Sequence, residues 1–189
     1  TDELQYVVDD AGCKMLFAEG QFHEVTSAVK GSNGQPLTRI GIRMTPEQTA
    51  ADGFTDYEQF LAAQPSDEPE AQTLGGPMFY TSGTTGRPKG VRSSASKAAM
   101  PVEMLELMGG SMAQMLGIPN TGRTFVCGPL YHSAQWAFSF LVLMTGSQIV
   151  TRHRFDAAES LALIDAHRIT NVHLVPTQFS RFLKLDDAV

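Results

Sequence analysis

Met78-Phe79-Tyr80-Thr81-Ser82-Gly83-Thr84-Thr85-Gly86-Arg87-Pro88-Lys89-Gly90-Val91 is the stretch on which the reading of this chain turns. It opens with a short apolar and aromatic run, which predicts a strand entering a core. Small and hydroxylated residues follow from Thr81 to Gly86, and then two cations flank Pro88. Glycines permit positive φ, so successive backbone N–H groups can converge on an anion. The hydroxyls of Thr81, Ser82, Thr84 and Thr85 add donors, and Arg87 and Lys89 add charge. The combination describes a cradle for phosphate oxygens.

Charge distribution supports that reading. The chain of 189 residues carries a net charge of −6. No Asp or Glu lies between Glu70 and Glu103, whereas Arg87, Lys89, Arg92 and Lys97 do. A local basic window in an acidic chain suits a small anion better than a nucleic acid, which needs a broad basic face. The loop is not a Walker motif, because Pro88 stands at the second glycine position and Gly90 where Ser or Thr must follow the lysine.

Working outward, strand and helix patterns alternate nearly throughout. Helices are expected over Leu4–Ala11, Gln21–Lys30, Asp56–Ala63, Ser96–Leu116, Ala134–Thr145, Asp156–His167 and Thr177–Leu185. Strands are expected over Lys14–Ala18, Thr38–Arg43, Thr124–Cys127, Gln148–Thr151 and Val172–Val175. The expected fold class is α/β, with a mainly parallel sheet flanked by helices. Met100, Met104, Met108, Met112 and Met115 recur at helical spacing, which predicts a core-packing face, and Gly109-Gly110 is expected to break that helix in two. Gln64–Pro77 reads as an exposed loop.

Composition sets further bounds. Hydrophobic content of 42% and charged content of 18% are those of a globular chain with a sizeable core. Cys13 and Cys127 form no disulfide framework and no metal-ligand cluster, which predicts a reducing, cytoplasmic setting. No signal peptide is legible, and the longest apolar run, Trp136–Met144, falls far short of the roughly 20 residues of a membrane span. His23, His153, His167 and His173 have no partner that the sequence names, and no Gly-x-Ser-x-Gly elbow supports a serine hydrolase.

Thr81-Ser82-Gly83-Thr84-Thr85-Gly86-Arg87-Pro88-Lys89-Gly90 resembles the signature loop of the AMP-forming adenylating enzymes, and every position of that signature is filled. Pro129-Leu130-Tyr131-His132, Phe155-Asp156 and His173-Leu174-Val175-Pro176-Thr177 also resemble segments of acyl-CoA synthetases. Arg87–Arg92 is most similar to the bacterial fatty-acyl-CoA synthetases. The resemblance implies a two-step ligation using ATP, Mg²⁺ and CoA: an acid forms an acyl-adenylate with loss of pyrophosphate, and a thiol then takes the acyl group. It implies that Thr81, Ser82, Gly83, Thr84, Thr85, Gly86, Arg87 and Lys89 hold the phosphates and that Thr81 approaches the metal. It further implies that His132 and Trp136 border the acyl group. Trp136 stands one helical turn from His132, and a packed structural role is an equal expectation for each. Ala95 departs from the family pattern, which often has a histidine there.

The same resemblance implies an internal piece of a longer enzyme. Residues 1–130 would form one sheet subdomain and 131–189 the start of a second. The adenine and ribose segments, the hinge and the C-terminal domain with its catalytic lysine would lie beyond Val189, leaving no catalytic residue here and an inactive isolated piece. The expected partners are small molecules: a carboxylic acid, ATP and CoA. An adenylation domain of a peptide synthetase and a non-catalytic nucleotide- or acyl-binding module stand as alternatives.

Overall fold

The computed structural model describes residues 2–70, 72–73, 75–81, 86–92 and 101–186. The chain divides into two compact units, one of residues 1–71 and 76–94, the other of 72–75 and 95–189.

In the first unit, α1 (Asp2–Ala11) starts with two acidic residues that suit the positive end of a helix. It ends where Gly12 takes φ +62°, which lets the Cys13 N–H return to the Val8 carbonyl at 3.0 Å. β1 (Met15–Glu19) is followed by a 3-10 turn and α2 (His23–Ser27), so the helix expected over Gln21–Lys30 is α-helical only from His23 to Ser27. β2 (Thr38–Ile42) leads into α3 (Pro46–Ala51), which the sequence reading missed. Thr45 makes a full capping box there, with Gln48 as its partner and Pro46 at the first helical position. β3 (Phe54–Asp56) follows, and the Asp56 carboxylate caps α4 (Tyr57–Ala62) through the N–H groups of Glu58 and Gln59. β1, β2 and β3 form a parallel sheet in that order, with Ile40 fully buried at its centre.

The turn between α2 and β2 tolerates no side chain at Gly31. A Cβ there would lie 1.8 Å from the Gln35 carbonyl oxygen, a backbone atom with no rotamer to change. Gly31→Ala is expected to cost about 2 kcal/mol, within the range for overpacking. That corresponds to a fall of roughly 4–8 °C in Tm for a protein of this size. Calorimetry checks it, and an unchanged Tm would mean that the turn relaxes freely.

β4 (Met78–Thr81) and β5 (Lys89–Arg92) complete this unit as an antiparallel pair. β5 was not foreseen, since Lys-Gly-Val-Arg shows no apolar alternation.

In the second unit, α5 (Met104–Met115) leads to β6 (Arg123–Val126) and α6 (Ser133–Met144). β7 (Gln148–Thr151), α7 (Ala157–Ala166), β8 (Asn171–Val172) and α8 (Pro176–Phe182) follow. The sheet is parallel with β6 central between β7 and β8. β6 lies before residue 130 and its two partners after it, so this sheet straddles the expected 1–130/131–189 boundary. Phe125 is wholly buried in β6. Ala113, Ile118, Leu141 and Val142 form the core where α5 meets α6 and β7.

Two expectations for α5 are corrected. The helix runs unbroken through Gly109-Gly110. Gly109 is where α6 approaches most closely, since a Cβ there would lie 2.2 Å from the Met144 methyl. The methionine face does not pack the core: Met104, Met108, Met112 and Met115 are exposed, and Gly109 and Ala113 are the buried residues of the helix. Close helix approach selects small residues, so the buried stripe of α5 is the one the hydropathy pattern marks least. Met100 lies outside the described residues.

Candidate functional site

The β4–β5 pair defines the ends of the Gly/Thr-rich loop. Met78 pairs with Arg92, Phe79 with Val91, Tyr80 with Gly90, and Thr81 with Lys89. Directly opposed residues share a face, with Cβ atoms about 5 Å apart. Thr81 and Lys89, eight positions apart in sequence, therefore stand side by side where the loop leaves and returns.

The other face of the pair is anchored on α1. The Tyr80 hydroxyl donates to the Asp10 carboxylate at 2.6 Å, and Arg92 donates to the Ala11 carbonyl at 3.4 Å. Burial and the Asp10 carboxylate push the Tyr80 phenol up to about 12, so it remains a donor at neutral pH. A Cβ at Gly90, opposite Tyr80, would meet the Met78 methyl at 2.1 Å and the Tyr80 ring at 2.9 Å, so those side chains would have to shift to admit one. The anchored face carries Met78, Tyr80 and Arg92, which leaves Thr81 and Lys89 on the opposite one, and both are exposed.

Gly86 takes φ +153°, a conformation open mainly to glycine. Arg87 stands 5.1 Å from the centroid of the Tyr6 ring, over a cleft of about 660 Å³ lined also by Asp2, Glu3 and Asp9. An exposed cation–π contact is worth about 0.5–1 kcal/mol. A charge-assisted hydrogen bond is worth about 1.5–3 kcal/mol, so a phosphate within reach would draw Arg87 off Tyr6. Ser82, Gly83, Thr84 and Thr85 lie outside the described residues. The donor set of Thr81, Arg87 and Lys89 fits phosphate. It does not by itself make a metal site: Thr81 offers one hydroxyl, and among the described residues no group of three or more His, Cys, Asp and Glu could hold a metal.

The second candidate segment lies in the other unit. The Pro129 carbonyl accepts from the His132 N–H at 3.1 Å, closing a turn that delivers His132 to the N-cap of α6. The Trp136 N–H donates to the His132 carbonyl at 2.9 Å, so the two are one turn apart. The His132 ring is exposed and lies 4.8 Å from that of Tyr131. Trp136 stacks on Phe140 at 4.8 Å with an interplanar angle of 14°. His132, Trp136 and Phe140 therefore form an aromatic row along α6.

A separate stripe of α6 faces the sheet. Gln135 is 3% exposed there, and its side chain reaches the Gly128 N–H at 3.3 Å and His173 at 3.0 Å. The sequence reading named neither Gln135 nor a partner for His173, and a polar residue within the apolar run of α6 was the one available signal. His23, also left without a partner, pairs with Asp52 at 2.9 Å. Cys127, at the end of β6, accepts from the Gln178 amide at 3.4 Å, and burial pushes its thiol up.

The family model for AMP-binding enzymes matches residues 1–189. The chain belongs to the AMP-binding enzyme family. Among curated members, it is 34% identical over 192 residues to a medium/long-chain-fatty-acid–CoA ligase of Mycobacterium tuberculosis, covering 97% of this chain and 32% of that protein. A solved fatty acyl CoA synthetase of Mycobacterium tuberculosis superposes with a TM-score of 0.69 at 19% identity, covering 99% of this chain and 34% of that one. The O-succinylbenzoate coenzyme A synthetase of Bacillus subtilis, solved with ATP and magnesium, gives 0.63 at 22% identity, covering 98% and 34%. The structural likenesses establish the shared fold: α/β, with parallel sheets flanked by helices. The chain spans about a third of the length of the curated AMP-binding relatives it matches. Among the described residues no helix is long and apolar enough to cross a membrane.

Proposed function

We propose that this chain is the phosphate- and acyl-binding part of an AMP-forming acyl-CoA synthetase, acting on a fatty acid, ATP and CoA in the cytoplasm. The observation that carries the proposal is the hairpin register. It sets Lys89 beside Thr81 at the mouth of a Gly/Thr-rich loop, in a chain that matches the AMP-binding family from end to end. In this reading Thr81, Ser82, Gly83, Thr84, Thr85, Gly86, Arg87 and Lys89 bind the β- and γ-phosphates. Lys89 and Arg87 stabilise the charge that grows on the departing pyrophosphate as the acid attacks the α-phosphate. Donors set in place before reaction are a large catalytic contribution. A bound Mg²⁺ would neutralise phosphate oxygens, with the Thr81 hydroxyl as one of its contacts. His132 borders the carboxylate end of the acid, and Trp136 meets its chain.

The test uses the full-length protein that contains this chain. Exchange of labelled pyrophosphate into ATP is expected to depend on an added fatty acid. Trp136→Ala is expected to change the ratio of kcat/KM between acyl chain lengths by about tenfold. KM for ATP should stay within about twofold, since in this reading the ring meets the acyl chain and not the nucleotide. Exchange driven by amino acids instead would favour a peptide-synthetase adenylation domain. Equal loss for all acids would make Trp136 a packing residue.

A further inference from the structure

The sheet-facing side of α6 carries a hydrogen-bonded clamp that the phosphate loop and the aromatic row do not explain. Gln135 is 3% exposed, on a helix whose other sheet-facing residues are apolar. Its Oε1 accepts from the Gly128 N–H at 3.3 Å. Its Nε2 reaches His173 Nδ1 at 3.0 Å and the His173 carbonyl at 3.2 Å. The Gly128 contact needs an acceptor, so it fixes the amide with oxygen toward Gly128 and both N–H groups toward His173. His173 Nδ1 is then an acceptor, and the ring proton sits on Nε2. The Phe138 ring lies 4.8 Å from the same imidazole and limits its rotation. Gly128 is matched to this arrangement, because a Cβ there would lie 2.6 Å from the Gln135 amide carbon.

The clamp joins two segments at the carboxyl end of the sheet. β6 and β8 run parallel, with Phe125 opposite Val172, so His173 leaves the sheet beside the start of the 127–132 turn. Crevices at the carboxyl ends of parallel strands are where α/β folds bind ligands. The turn ends at His132, and Gln135 is three residues further on. Its side chain crosses back over the turn to Gly128 while holding the end of β8.

We propose that Gln135 is a positioning residue of the acyl site, a role that rests on the ligase reading above. It holds the His132 turn against the end of β8 and fixes His173 as an Nε2–H donor. The polar group is placed where an apolar side chain would pack equally well, because Leu or Met could not set the orientation of either partner. A buried amide with its donors and acceptor engaged specifies one geometry.

The experiment uses the full-length protein labelled with ¹⁵N-histidine, with His173→Gln to assign the signal. Long-range ¹H–¹⁵N spectra should show His173 protonated on Nε2 and bare on Nδ1. Gln135→Glu keeps the acceptor for Gly128 but presents a carboxylate to Nδ1, and should move the proton there. With the same variant, kcat/KM for the acid should fall about tenfold, the scale of one or two neutral hydrogen bonds. KM for ATP should change less than about twofold. If Gln135→Glu does not fold, Gln135→Met should show the same acid-side loss. Wild-type His173 protonated on Nδ1 would overturn the clamp and leave the ligase reading untouched. Equal losses for acid and ATP, or none, would overturn the positioning role. No acid-dependent exchange by the wild-type protein would overturn the ligase reading, and the role of Gln135 with it, while the ring-proton result stood.

Discussion

Lys89→Ala in the full-length protein is expected to lower kcat/KM for ATP by about 10- to 100-fold. A charge-assisted hydrogen bond contributes about 1.5–3 kcal/mol, and roughly 1.4 kcal/mol is a factor of ten. Lys89 is exposed and faces Thr81 across the hairpin, on the side that α1 does not cover. Its removal should therefore not disturb the anchoring of the pair through Tyr80 and Arg92. The loss should appear in the nucleotide half-reaction, as slower pyrophosphate exchange, with the melting temperature little changed. Lys89→Arg should recover only part of the rate, because a planar fork does not reproduce a compact ammonium. An unchanged exchange rate in Lys89→Ala would remove this residue from the site.

Phe125→Ala is expected to destabilise the protein by about 3–5 kcal/mol, a large part of the 5–15 kcal/mol of a typical domain. Phe125 is wholly buried in the central strand of a three-stranded parallel sheet, paired with Val150 on one side and Val172 on the other. Both pairing strands hold the backbone, so the site cannot collapse into the space left by the ring. Phe17→Ala is the matched comparison. Phe17 is 48% exposed, with edge-on contacts to Tyr57 and Phe60, and its loss should cost about 0.5–1.5 kcal/mol per ring pair. Urea titrations of the two variants measure the difference. Equal costs would show that β6 is not the centre of the core.

Elements with a strong local signature were legible without coordinates. The acidic start and glycine end of α1 and the Asp156 cap of α7 each depend on residues within one turn of a helix end. The strands β1, β2, β6 and β7 lay within a residue of their expected places, because alternation and flanking turn residues are local too. α3 was legible in principle, since Thr45-Pro46-Glu47-Gln48 is a capping box with proline at the first position. β3 and β5 were not. Each is short, and each exists because a partner strand supplies its hydrogen bonds.

The candidate site divides in the same way. Thr81, Arg87 and Lys89 were named from a run of neighbouring residues whose chemistry is read in order. That Lys89 stands beside Thr81 came from the register of an antiparallel pair, and register depends on which strands meet.

By itself, the sequence determined the α/β class, the family it resembles, the ordered Gly/Thr-rich motif with its two cations, and the helix that begins after His132 and carries Trp136. Those properties rest on local periodicity, capping and an ordered motif, and each is complete within a few residues. Only the tertiary structure decided that the methionine face of α5 is exposed, that Gly109 lets α6 approach, and that Gln135 holds Gly128 and His173 together. The physical reason is distance along the chain. Gln135 and His173 are 38 positions apart, and Gly109 and Met144 are 35 apart. Which of a helix's faces is buried, and which polar group finds a partner, is set by what packs against it.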